Sequence, residues 1–158
     1  MHPVPVIGYV ESGVFLVKMD IEGKSPWMKN GLVNTRTAFD FEATLTRFRS
    51  VIERAGLTIF AEIDHSANAS AVDLPLPPTT LFLFGNPRGG TPLMQISQTV
   101  ALDLPFRAVV WEDDDEVVWI TYNDPRWLAE RYPLGPAAEP VWTAIGDGMM
   151  KLTLAATA

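Results

Sequence analysis

The chain contains no cysteine. Disulfides, zinc thiolates, iron–sulfur clusters and a thiol nucleophile are thereby excluded. Histidine is almost as scarce: His2 and His65 are the whole complement, so no imidazole pair stands at metal-ligand spacing, and no metal site is expected. Positive charge is also in short supply. Twelve Lys and Arg against 19 Asp and Glu leave a net charge of −7. That is the wrong sign for a phosphate backbone, and Arg47, Arg49 and Arg54 read as a solvated helix face, so no nucleic-acid partner is expected. No apolar run approaches the roughly 20 residues that span a bilayer. The stretch from Met1 to Asp20 lacks a basic start, a long apolar centre and a small-residue cleavage site. No membrane partner is expected, and the default location is the cytoplasm.

The 158 residues are enough for one domain with a sizeable core. Val14 to Asp20 reads as a strand closed by the turn-prone segment Glu22 to Pro26, and Asn34 to Phe39 as a second short strand. The clearest helix runs from Asp40 to Ala55. There Phe41, Leu45, Phe48, Ile52 and Ala55 fall on one stripe, with Asp40 as N-cap and Gly56 just past the end. In Leu57 to Asp64 the set Leu57, Ile59, Ala61 and Ile63 is expected to pack against that helix. Leu81 to Phe84 is apolar throughout, the pattern of a central strand covered on both faces.

Gly85 to Gly90 reads as a loop, followed by a helix with Thr91 as N-cap and Pro92 in its first turn. Its inner stripe would be Leu93, Ile96, Ser97 and Val100, and Pro105 would end it. Phe106 to Glu112 and Glu116 to Tyr122 form the best hairpin candidate, joined by Asp113, Asp114 and Asp115. Asp124-Pro125 starts a short helix, and a final helix from about Pro140 to Leu154 carries Val141, Ile145, Met149 and Leu152. Gly146 and Gly148 weaken that last helix by about 1 kcal/mol each relative to Ala. The element order predicts an α+β fold: one compact domain, a mixed, mainly antiparallel sheet, and helices packed on it.

Several motifs taken in order resemble the DUF302 family. They are Phe60-Ala61-Glu62-Ile63-Asp64-His65, Phe84-Gly85-Asn86-Pro87, Gly90-Thr91-Pro92-Leu93-Met94, Asp103-Leu104-Pro105, Trp111-Glu112-Asp113 and Tyr122-Asn123-Asp124-Pro125. The resemblance covers about residues 34 to 132 and implies a small α+β domain of the TT1751-like type. It implies no catalytic residue, and any cofactor stays unknown. Residues 1–33 then form an N-terminal extension with room for an extra strand, and 34–158 the DUF302-like domain. Trp27, in the extension, hints at an interface.

Polar residues that end apolar segments are the candidates for function. Asp64 and His65 are the most reactive pair, since histidine titrates near neutral pH and a carboxylate can set its tautomer. The plainer reading has Asp64 or Ser66 capping a short helix that begins near His65. Gly85 to Thr91 nearly matches phosphate-loop spacing but lacks the lysine before Thr91, so nucleotide hydrolysis is not expected. Arg88 and free N–H groups at a helix start could still hold a carboxylate or phosphate. A tight turn tied down by Asn86 is the alternative. Glu112 to Glu116 lacks calcium-loop spacing and reads as a solvated hairpin tip. Asp103, flanked by apolar residues, either holds a loop or enters a site.

The leading expectation is a small-ligand-binding domain, an anion being the favoured ligand, or a homodimer, or both. Its crevice would join Asp64, His65, Asn86, Arg88 and Thr91. The competing expectation is a hydrolase or isomerase with His65 as general acid/base, supported by Asp64 or Asp103.

Overall fold

One antiparallel sheet organises the fold. In the computed structural model, which describes residues 31–158, strands β1 (Leu32–Arg36), β2 (Thr58–Asp64), β3 (Thr79–Gly85), β4 (Phe106–Glu112) and β5 (Val118–Asn123) lie in the order β1-β5-β4-β3-β2. Every pairing is antiparallel, so the α+β architecture stands and the sheet has no parallel component among the described residues. The strand expected at Val14 to Asp20 and the Trp27 lead lie outside the described residues.

Helices α1 (Phe41–Arg54) and α5 (Glu139–Thr157) pack on one face of the sheet. Asp40 caps α1 as its residue type predicts, its Oδ1 accepting the Ala43 N–H at 2.8 Å. Gly56 adopts φ +70° just past the end, the left-handed turn that glycine tolerates best. The buried stripe contains Leu45, Phe48 and Ile52, while Ala55 is the C-cap and is exposed. Phe48 sits edge-on to the rings of Phe82 and Phe84, with centroids 5.2 and 5.7 Å away. Arg47 closes the helix pair by donating to the carbonyl oxygens of Ala156 and Ala158 at the end of α5.

Strand β2 departs from its simple alternation. A bulge at Phe60 makes Ile59 oppose Phe84 but Ala61 oppose Leu83. Opposed residues share a face, so Leu57 and Ile59 join the core under α1, whereas Ala61 and Ile63 turn to the far side. The expectation that all four pack against the helix fails for this reason. Glu62 is brought to the helix side instead, where Arg49 of α1 binds it with contacts of 2.8 and 2.7 Å.

A second departure concerns α3. It begins at Pro87 rather than Thr91, with Asn86 as N-cap accepting the Arg88 N–H at 2.9 Å, and ends at Ile96. Asn86-Pro87 and Thr91-Pro92 carry the same cap-plus-proline signal, and the earlier pair wins. Thr91 and Pro92 therefore lie inside the helix. A 3-10 turn, Gln98–Asp103, then leads to a cis Leu104-Pro105 bond. Leu93 and Val100 are buried as expected, but Ile96 is exposed because the helix stops there. With α4 (Pro125–Arg131), Leu134 and Trp142, these two side chains form a second apolar cluster at one end of the helix layer.

Candidate functional site

The antiparallel pairing of β2 with β3 decides the geometry of the expected crevice. Asp64 opposes Thr80, and Thr58 opposes Gly85. Asp64 and His65 thus leave β2 at one end of the sheet, while Asn86, Arg88 and Thr91 leave β3 at the other. The offset from Thr80 to Gly85 amounts to about 17 Å at about 3.3 Å per residue. A single cleft joining Asp64, His65, Asn86, Arg88 and Thr91 does not form.

At the first end, Asp64 caps α2 (His65–Ser70). Its Oδ1 accepts the Ala67 N–H at 2.8 Å and the Ser66 hydroxyl at 2.7 Å. Those bonds, the backbone one foremost, hold its carboxyl below the ordinary carboxylate range. Oδ1 is thereby committed to the helix start. His65 is exposed and takes no hydrogen bond or ion pair among the described residues. The general acid/base reading finds no hydrogen-bonded carboxylate for His65 here, since Asp64 serves the helix start.

At the second end, Asn86 is tied to the backbone and Thr91 is an exposed residue in the middle of α3. Arg88 is exposed and makes no ion pair among the described residues. Of the two glycines only Gly90 is closely packed: a Cβ there would stand 3.3 Å from Leu104 Cδ1, while one on Gly89 would meet no described atom within 4 Å. That close approach fits Gly90 to a packed position beside Leu104. Asp103 lies at this same end and is largely buried. It accepts hydrogen bonds from the Tyr132 hydroxyl and, at 3.3 Å, from Arg131 Nη1. Burial first, then that carboxylate partner, raises the Tyr132 pKa. The cluster holds the end of the 3-10 turn against α4, which is the loop-holding role for Asp103. A cavity of about 340 Å³ lies nearby, beneath α4 and the start of α5, lined by Arg126, Leu134, Glu139 and Trp142 among others. Among the described residues no group of three His, Cys, Asp or Glu could hold a metal ion.

The hairpin tip is a closed structure. Asp113 Oδ1 accepts the N–H groups of Asp115 and Val117, and its Oδ2 accepts Trp119 Nε1 at 2.8 Å. The Trp119 bond, with those backbone bonds, holds the Asp113 carboxyl below the usual range.

Sequence reading missed the face of the sheet turned away from α1 and α5. The ladder places Ile63, Leu81, Leu83, Val109, Trp111 and Trp119 on it. None of them belongs to either buried cluster, and each is half-buried. The indoles of Trp111 and Trp119 stack at 6.3 Å with planes 23° apart. Their N–H groups are satisfied within the sheet: Trp111 Nε1 donates to Thr121 Oγ1, which donates to Asn34 Oδ1, and Trp119 donates to Asp113. What they offer outward is hydrocarbon with no unmet donor, the chemistry of a surface that can be dried at low penalty. The signal was present in the continuous apolar runs of β3, β4 and β5.

The comparisons with known proteins agree with this architecture. A crystal structure of an uncharacterized conserved DUF302 protein from Bacillus stearothermophilus superimposes with a TM-score of 0.73 at 14% identity, covering 81% of this chain and 99% of that one. A protein from Brucella suis biovar 1 named fluoride-specific ion channel FluC 1 is 41% identical over 124 residues, 78% of this chain and 49% of that protein. The Brucella melitensis protein named fluoride-specific ion channel FluC 2 matches equally well over 46% of its length. The chain thus spans about half the length of the curated relatives it matches. The model of the domain of unknown function DUF302 matches residues 33–152, and the chain belongs to that family.

Proposed function

We propose that this domain is a non-catalytic assembly module in which two copies meet through the open face of the sheet. The carrying observation is that β3 is apolar on both faces while, among the described residues, α1 and α5 cover only one. A strand read from its sequence as buried on both sides needs a second cover, and a dried contact through Leu81, Leu83, Val109, Trp111 and Trp119 supplies it. Each large side chain so covered contributes about 1.5–3 kcal/mol on full burial.

The setting we propose is beside a fluoride channel rather than as one. Supporting this, the Brucella proteins named as such are matched over only about half their length. Among the described residues no helix is long and apolar enough to cross a membrane. The anion contact expected from sequence is kept at Arg88 and dropped at His65. Thermal-shift titration with fluoride and acetate should then show a saturable rise that Arg88→Ala removes, and no response in the unaltered chain would end that part of the reading.

Light scattering tests the assembly. At micromolar concentration the chain should weigh twice 17.4 kDa. Leu81→Asp should return it to one copy with its circular dichroism unchanged. A monomer in the unaltered chain would overturn the proposal.

A further inference from the structure

Away from the sheet face, α1 and α5 leave a groove between the end of one helix and the middle of the other. Its volume is about 510 Å³, and Val51, Leu57, Gly148 and Leu152 are among the residues that form its apolar floor, with Arg54 and Lys151 also lining it. Among the described residues no acidic side chain lines it. We propose that this groove binds an amphipathic carboxylate: an alkyl chain laid along the floor, with its acid group held by Arg54 and Lys151.

Charge supports the choice of ligand. On a chain of net charge −7, most described cations are already engaged. Arg47 and Arg107 donate to carbonyl oxygens, Arg49 holds Glu62, Arg126 holds Asp124, and Arg131 holds Asp103. Arg54 and Lys151 make no hydrogen bond or ion pair among the described residues, and both stand on this groove. A free cation pair over hydrocarbon complements an anion that carries an apolar tail.

Gly148 is the second observation. Glycine disfavours a helix interior, and here it sits in the middle of α5. A Cβ at this position would meet nothing within 4 Å among the described residues, so their packing does not require the glycine. A side chain there would instead enter the groove. Gly148, Lys151 and Leu152 follow i, i+3, i+4 spacing, which puts all three on the face turned to α1. The proposal is independent of the sheet-face assembly.

The test uses the full chain and dodecanoate below its micelle concentration, followed by backbone amide resonances. Saturable shifts should be confined to residues 51–57 and 148–155. Acetate, the head without the tail, should give none in these two segments at equal concentration. Octyl glucoside, a tail without the charge, should bind at least roughly tenfold more weakly. Gly148→Leu raises helix propensity, so it should fold and lose dodecanoate binding. The pair Arg54→Gln and Lys151→Gln should weaken dodecanoate about tenfold and leave octyl glucoside unchanged. Dodecanoate shifts that persist in Gly148→Leu, equal affinity for the uncharged amphiphile, or no saturable shift in the unaltered chain would each overturn the proposal.

Discussion

On the helix side of β3, Phe82 and Phe84 are closed over by the ring of Phe48 and lose all contact with water. On either side of Phe82 along the same strand, Leu81 and Leu83 lie outside the cluster built on α1 and α5 and stay half-buried. The two faces are similarly apolar but are bound to different partners: one to its own chain, the other, in our reading, to a second copy. Residue type therefore records that a face is to be dried, and topology decides what dries it.

The sharpest contrast is between Phe48→Ala and Leu81→Ala. The first opens a cavity under the sheet and should cost about 3–5 kcal/mol in chemical denaturation. The second, measured at dilution where single copies prevail, should cost about 0.2–1 kcal/mol, the scale of a cross-strand pair. Equal losses would mean that the open face is covered within the chain.

pH separates the faces next. Tyr122, on the helix side, is pushed up to about 12, first by burial and then by the nearby Asp124 carboxylate. A raised folded pKa means that its contribution is whole below about 10, the unfolded value, and is lost as pH rises from there towards the folded one. Alkaline denaturation should therefore be milder in Tyr122→Phe, and an unchanged alkaline limb would break the assignment. Asp113, beside the open face, behaves oppositely. Its lowered pKa means that its contribution is present above about 4 and is lost as pH falls through the folded value. Acid should release Trp119 and change tryptophan emission in the unaltered chain, and Asp113→Asn should show that change already at neutral pH.

The smallest effect expected is that of the caps. Asp64→Ala should lower the melting temperature only slightly by freeing the start of α2, and His65→Ala should leave it close to unchanged. A large loss from His65→Ala would reopen a role for that residue.

Much of the covered half could be read from the sequence. The Asp40 cap, the Phe48 stripe, the hairpin from Phe106 to Tyr122 and the Asp124-Pro125 helix start are local signals, and local signals survive folding. The candidate crevice could not be read, because its existence depended on which ends of β2 and β3 lie together. Both segments end in polar residues, and nothing in either one states that their chains run in opposite directions. The Phe60 bulge was hidden for a related reason: its sequence alternates regularly, and only the pairing with Phe84 and Leu83 exposes the extra residue. The apolar runs of β3 and β4 did carry the open face in plain view, but as burial without an address.

The absence of cysteine makes a direct test simple. A single Val109→Cys places one thiol at the middle of the open face, opposite Leu81 and Thr121, and Glu53→Cys places one on the exposed side of α1. With a short thiol-specific crosslinker at micromolar protein, the account predicts a two-chain product from Val109→Cys and none from Glu53→Cys. Crosslinking from Glu53→Cys alone, or from neither, would contradict it.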